Sequence, residues 1–266
     1  MLELYQFEFS PYCEKVRLIL DYKGLDYQKI EVTPGVGQVE IYRISGQKQL
    51  PVLKDGSTVV ADSTEIALYL DRKYPERPIL PSDPVIRSQC LIWEEWADAI
   101  ISKKSRLPIL DYIKSDAGLR SALLPSQTPD VLKNLINSLP GEVFEFLGSG
   151  IGINRELISK ANKNLRDTLE NLNTILRSKP YLVGDSLTLA DLTVAALSIA
   201  IKSPPSEYLD IPSQLKNRGI PGIADDPAYQ DFFRWRDQIY TNYRKPSTGY
   251  NRTDNRDINL SSIEIE

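Results

Sequence analysis

The stretch Leu2-Glu3-Leu4-Tyr5-Gln6-Phe7-Glu8-Phe9-Ser10-Pro11-Tyr12-Cys13-Glu14-Lys15-Val16-Arg17-Leu18-Ile19-Leu20 decides the fold. Its first six residues alternate apolar and polar in part, the pattern of a strand. Ser10 is a good helix N-cap, and Pro11 suits the first helical position, where a missing N–H costs nothing. Val16, Ile19 and Leu20 then fall on one face of a helix running from Glu14 to Tyr22, with Gly24 as its C-terminal cap. Tyr27 to Val32 alternates again. A strand, a helix and a strand joined this tightly predict two parallel strands with a right-handed crossover.

Working outward, Gln38 to Ile44 reads as an irregular helix after Pro34-Gly35. Leu50-Pro51-Val52-Leu53 reads as a short strand opening at a proline. Lys54-Asp55-Gly56-Ser57 is a hairpin turn, and Thr58-Val59-Val60 is the returning antiparallel strand. Asp62-Ser63-Thr64-Glu65 starts a helix whose buried face is Ile66, Tyr69 and Leu70. The element order is βαβαββα over residues 1–75. Pro75, Pro78, Pro81 and Pro84 then mark a linker over 76–84.

Strands vanish beyond the linker, and residues 85–245 read as an all-helical domain. Leu91, Ile92, Trp93, Trp96 and Ile100 form one apolar helical stripe. The region Leu107 to Ile153 is broken by Pro108, Pro125, Pro129 and Pro140 into helices with long connections. Leu157 to Leu176 is a long amphipathic helix. Thr188-Leu189-Ala190-Asp191 opens another with a capping box, and Leu187 and Leu192 make a hydrophobic staple. A helix from Ala228 to Tyr243 turns Phe232, Trp235 and Ile239 inward. From Lys245 the chain is polar, and 246–266 is expected to be a mobile tail.

Composition excludes several kinds of chemistry. The chain has 266 residues with 32 basic and 36 acidic side chains, so no basic excess favours nucleic acid. It opens without a signal-peptide pattern, and no apolar run approaches the roughly 20 residues that span a bilayer. Two cysteines, Cys13 and Cys90, make no disulfide framework, which points to a reducing cytoplasm. There is no histidine at all. That removes Ser-His-Asp triads, Cys-His nucleophiles and histidine metal sites, and no metal site is expected.

Four places could carry chemistry. Ser10 stands where a helix N-terminus gathers unpaired N–H groups and favours an anion, including a thiolate. It serves either as a plain cap or as a hydrogen-bond donor to a thiolate delivered by a ligand. Cys13, in the first turn, is either a reactive thiol or a small buried hydrophobe; Cys90 belongs to packing. Pro51 is a candidate for a cis peptide or a plain trans proline at a strand edge. Asp62 and Ser63 either cap a helix or hold the charged ends of an amino acid.

Taken in order, Ser10-Pro11-Tyr12-Cys13 with Lys15-Val16-Arg17-Leu18, Gln49-Leu50-Pro51-Val52-Leu53, Asp62-Ser63 and Ser186-Leu187-Thr188-Leu189-Ala190-Asp191 resemble the glutathione transferase superfamily. The resemblance covers Met1 to about Tyr74 and about Asn154 to Leu197. It implies a thioredoxin-like N-terminal domain, an all-α C-terminal domain and a homodimer. It implies that Ser10 activates the glutathione thiol, with Cys13 as the alternative. Leu50, before a cis Pro51, would pair with the cysteinyl backbone. Asp62 and Ser63 would hold the γ-glutamyl end, and Lys48 and Gln49 would lie near the glycyl carboxylate. Conjugation to a small apolar electrophile follows, in a pocket between the domains lined by the helix of Trp93 and Trp96. The chain departs from thiol-exchange members, which carry cysteine where Ser10 stands. It departs from tyrosine-type members too, having Gln6 at the place of their tyrosine. Cys13 is unusual for serine-type members and leaves mixed-disulfide chemistry open.

Overall fold

The computed structural model of the chain describes residues 1–32, 37–114, 119–120, 124, 128, 130–139, 155–212 and 215–247. Four strands form one sheet in the order β2-β1-β3-β4: β1 (Leu2–Gln6), β2 (Tyr27–Glu31), β3 (Val52–Asp55) and β4 (Thr58–Ala61). As the short crossover requires, β1 and β2 are parallel. β3 runs antiparallel to β1 and is joined to β4 by a tight turn at Gly56, which has a positive φ of 61°. Helices α1 (Pro11–Lys23), α2 (Gln38–Ser45) and α3 (Ser63–Lys73) complete the βαβαββα order expected from the sequence. Gly24 closes α1 in the left-handed conformation with φ 72°.

After residues 74–83, which carry neither helix nor strand, the regular elements of the described chain are helices, joined by long connecting stretches over 177–188 and 201–226. α4 (Pro84–Ala97) continues through a π turn (Asp98–Ser102) into α5 (Lys103–Lys114). There follow α6 (Asp130–Ser138), α7 (Arg155–Leu176), α8 (Leu189–Leu197) and α9 (Gln230–Tyr243). Most of Leu107 to Ile153, and residues 248–266 of the expected tail, lie outside the described residues. Among the described residues no helix is long and apolar enough to cross a membrane.

One core joins the sheet to the helices. Val16, Ile19 and Leu20 of α1 cluster with Leu4, Leu53, Ile66 and Leu70 on one side and with Leu189, Leu192 and Phe232 on the other. Burying such aliphatic side chains contributes about 1.5–3 kcal/mol each before entropy is counted. The start of α8 is fixed by Asp191, whose carboxylate accepts from the Thr188 N–H at 2.9 Å and the Leu182 N–H at 2.8 Å.

Two expectations need correcting. The stripe on α4 is not the set of apolar residues. Ile92 is 67% exposed, while Cys90, Glu94 and Ala97 are buried. Glu94 turns inward because the buried Lys15 ammonium of α1 pairs with it, a contact no apolar periodicity records. Nor is the start of the expected 246–266 tail loose. The Arg244 guanidinium is buried and bonds Glu14 at 2.9 Å and Asp21 at 2.6 Å, the Lys245 N–H donates to Asp21 at 3.0 Å, and the Ser247 N–H donates to the Glu207 carbonyl at 2.7 Å. Buried acidic groups on α1 draw in the end of the helical half.

These bonds belong to a wider cluster. Arg17 bonds Glu14 at 2.6 Å, the Glu8 carbonyl at 2.8 Å and the Gln6 side chain. Gln6 donates to Glu8 and Glu31, and Glu8 in turn accepts from the Asp210 N–H at 3.0 Å. Burial alone would raise the Glu8 pKa, but the Arg17, Lys29 and Arg244 charges and the Gln6 hydrogen bond outweigh it and bring it to about 2.

Candidate functional site

The sheet register brings the candidate residues to one end. Tyr5 of β1 pairs with Val52 of β3, and Val52 pairs with Ala61 of β4. The segment leaving β1 toward Ser10, the segment entering β3 through Leu50-Pro51, and Asp62-Ser63 leaving β4 therefore emerge on the same edge. Three loops converge there, two of them opening helices, which is a natural place for an anionic ligand.

Ser10 caps α1: its Oγ accepts from the Cys13 N–H at 3.3 Å. Capping uses a lone pair and leaves the hydroxyl proton to donate elsewhere. The Tyr12 N–H, at the second helical position, has no acceptor within the helix. Cys13 is fully buried, with its Sγ accepting from the Phe7 N–H at 3.5 Å. Burial pushes its thiol up to about 11, against the opposing pull of Arg17, Ser10 and the Phe7 N–H.

The Leu50–Pro51 peptide is cis. Lys48 and Gln49 are exposed, Leu50 is half-buried and Pro51 is buried. Asp62 holds a positive φ of 78°, a strained conformation for a residue other than glycine. Its Oδ1 caps α3 by accepting from the Thr64 N–H at 2.8 Å and the Glu65 N–H at 3.2 Å. Both bonds use one oxygen, so Oδ2 remains for a cation. Ser63, at the first position of α3, is buried. Behind it, Thr64 Oγ1 donates to Glu94 at 2.7 Å and accepts from Lys15 at 3.2 Å, which ties the start of α3 to α1 and α4.

Gln6, at the place of the tyrosine-type residue, does not face this edge freely. It is 1% exposed and its amide is spent on Glu8 and Glu31.

Beside Ser10 lies a cavity of about 460 Å³ between the sheet half and the helical half. That size suits a small organic ligand. Phe9 and Pro11, the two sequence neighbours of Ser10, form part of its wall with Phe7 and Tyr12. Ile109, Tyr112 and Ile113 of α5 close it from the other half, and Leu209 and Leu215 add apolar surface. Lys103, Arg106 and Arg218 supply its charges.

Trp93 and Trp96 are not in that wall, contrary to expectation. They are half-buried and pack edge to face, with centroids 5.0 Å apart, against the main core. The wall comes instead from α5, one π turn further on. The sequence reading also gave no role to Phe7, Phe9, Tyr12 or Arg218. Phe7 and Phe9 reach the cavity from a turn after β1, closed by the Ser10 N–H donating to the Phe7 carbonyl at 2.9 Å, so strand alternation gave no signal for them. The 199–219 residues carried none, because they reach the cavity only through the tertiary fold.

A second cleft, of about 690 Å³, lies between α5 and α7 and is lined mostly by charged residues. Three of its cations are paired: Lys114 with Asp111 at 2.8 Å, Lys163 with Asp167 at 2.8 Å, Arg166 with Asp226 at 3.2 Å.

Comparison with known proteins accords with this geometry. The glutathione S-transferase N-terminal domain family matches residues 4–78, and the glutathione S-transferase C-terminal domain family matches residues 155–217. Glutathione S-transferase 1 of Dianthus caryophyllus is 32% identical over 204 residues, covering 75% of this chain and 76% of that protein. A zeta-class glutathione S-transferase of Euphorbia esula is 41% identical over 85 residues, which is 31% of this chain and 38% of the relative's length. Among solved structures, a glutathione S-transferase from Rhodospirillum rubrum superposes with a TM-score of 0.65 at 19% identity, covering 91% of this chain and 88% of its own. The chain belongs to the glutathione transferase family. Its architecture is the family's thioredoxin-like domain joined to a helical one.

Proposed function

We propose that the protein binds glutathione across the converging loops and joins it through its sulfur to a small apolar electrophile held in the adjoining cavity. The observation that carries this reading is the position of Ser10, whose two neighbours wall the cavity while its hydroxyl faces the anion-favouring start of α1. In the proposed reaction the Ser10 hydroxyl and the start of α1 stabilise the thiolate, and the thiol proton passes to solvent. The sulfur then attacks the electrophilic carbon, forming a C–S bond as the leaving group departs. Asp62 Oδ2 takes the γ-glutamyl ammonium and Ser63 its carboxylate, with Lys48 and Gln49 near the glycyl end and Leu50 against the cysteinyl backbone. The family relationship supports this assignment, as it does a homodimer in the cytoplasm.

The burial of Cys13 and its raised pKa weigh against the thiol-exchange alternative. Steady-state conjugation on a panel of activated aromatic electrophiles tests the choice. Ser10→Ala is expected to lower kcat/KM by about 100-fold, the scale of losing one donor to a developing anion. Ser10→Thr should retain much of the activity and Cys13→Ser nearly all of it. Mixed-disulfide reduction lost in Cys13→Ser would move the function to that thiol. Normal glutathione affinity with no turnover across the panel would make the protein a binding module.

A further inference from the structure

The cavity beside Ser10 carries charges that a purely apolar substrate does not need. Among the described residues its charged lining is Lys103, Arg106 and Arg218, with no carboxylate, in a chain with more acidic than basic residues. Lys103 and Arg218 are exposed and make no ion pair among the described residues, unlike Lys114, Lys163 and Arg166 of the second cleft.

Arg218 is brought to the cavity by a defined backbone contact. The Ser203 N–H donates to the Arg218 carbonyl at 2.8 Å, and the Ile220 N–H donates to the Ile201 carbonyl at 2.8 Å. Between them Gly219 pairs with Lys202 so closely that a Cβ there would stand 2.4 Å from the Ile201 carbonyl oxygen. A side chain at 219 would push Arg218 away from its place.

Around these cations the walls are aromatic: Phe7, Phe9 and Tyr12 from the sheet half and Tyr112 from α5. Flat apolar walls suit a ring, and guanidinium and ammonium groups suit a carboxylate through charge-assisted hydrogen bonds. We propose, on the basis of the transferase reading of the same site, that the preferred electrophile is an aromatic compound bearing a carboxylate, with Arg218 and Lys103 as specificity-determining residues. With a chloro-dinitrobenzoate, the glutathione sulfur attacks the ring carbon bearing chlorine. The C–S bond forms, the C–Cl bond breaks, and chloride leaves with the electron pair. The thiol proton goes to solvent, and the carboxylate is held but unchanged.

The test compares a chloro-dinitrobenzoate with its methyl ester, which has the same ring and leaving group without the charge. KM for the acid is expected to be about tenfold lower than for the ester, a difference that shrinks as salt rises. In a Lys103→Met, Arg218→Met double variant the ratio should fall to within about twofold, the screened charges having gone. Equal or better use of the ester by wild type, or an unchanged ratio in the double variant, overturns the proposal while leaving the transferase reading standing. Calorimetric binding of the unreactive dinitrobenzoate and its ester supplies a readout without turnover. Tighter, salt-sensitive binding of the acid by a protein that turns over neither compound would uphold the cavity's preference and sink the transferase reading. Equal binding would overturn the preference as well.

Discussion

Two groups of cations flank the start of α1 and are treated oppositely by the fold. Arg17 and Arg244 are fully buried, and their guanidinium groups are bonded to Glu14, Asp21 and the Glu8 and Tyr208 carbonyls. Lys103 and Arg218, on the cavity side, stand exposed without ion-pair partners among the described residues. A charge taken out of water must be paired to persist, so the first group reports on folding. A cation at the mouth of an apolar cavity costs little to leave unpaired and stays available to a ligand. Pairing, rather than the residue type, separates structural from functional arginine here.

The sharpest way to break this contrast is to remove one buried partner. Arg244→Met leaves Glu14 and Asp21 short of a counter-charge and is expected to cost about 3–5 kcal/mol, read from denaturant unfolding. The same change at Arg218 should stay within about 0.5 kcal/mol, as for an exposed side chain.

Acid is a second probe of the buried group. The Glu8 pKa of about 2 lies below its ordinary 4.5, so its stabilisation is present above pH 4.5 and is lost as pH falls toward 2. The difference corresponds to about 3 kcal/mol. Asp98 and Asp191, raised to about 6 chiefly by burial, run the other way and add stability as pH falls from 6 toward 3.8. The stability gap between wild type and Glu8→Gln isolates the first effect and should close as pH falls from 4.5 to 2. A gap that stays constant over that range would mean Glu8 is not held by Arg17.

The smallest change tests the ligand edge alone. Asn caps a helix as well as Asp and tolerates a positive φ, so Asp62→Asn should keep the stability within about 0.5 kcal/mol. It removes the charge proposed for the γ-glutamyl ammonium, and the glutathione Kd should rise about tenfold. An unchanged Kd would confine Asp62 to capping.

The N-terminal half was readable because its signals are local. Ser10-Pro11 marks a helix start, Gly56 a hairpin turn, and the Val16, Ile19, Leu20 spacing a buried face, each within a few residues of what it controls. What was misread depends on distant partners. Glu94 is buried because Lys15 reaches it from α1, which left the α4 stripe out of phase with the apolar residues. The end of the helical half looked unanchored because the group that holds Lys245, Asp21, lies near the other end of the chain. For the site, Ser10, Asp62 and Ser63 lie at one sheet edge, each at a helix start that the local sequence marks. The aromatic and cationic walls of the cavity carry no such mark, since they are assembled from three separated segments.

The central claim is that Ser10 holds glutathione as a thiolate, and the direct measurement is ultraviolet thiolate absorbance of bound glutathione across pH. A free thiol ionises near pH 8.5. The account predicts that wild type carries the thiolate at neutral pH, and that Ser10→Ala binds glutathione but shows the thiolate only near the free thiol's range. Bound glutathione that stays protonated at neutral pH in wild type, or a thiolate signal unchanged in Ser10→Ala, would contradict it.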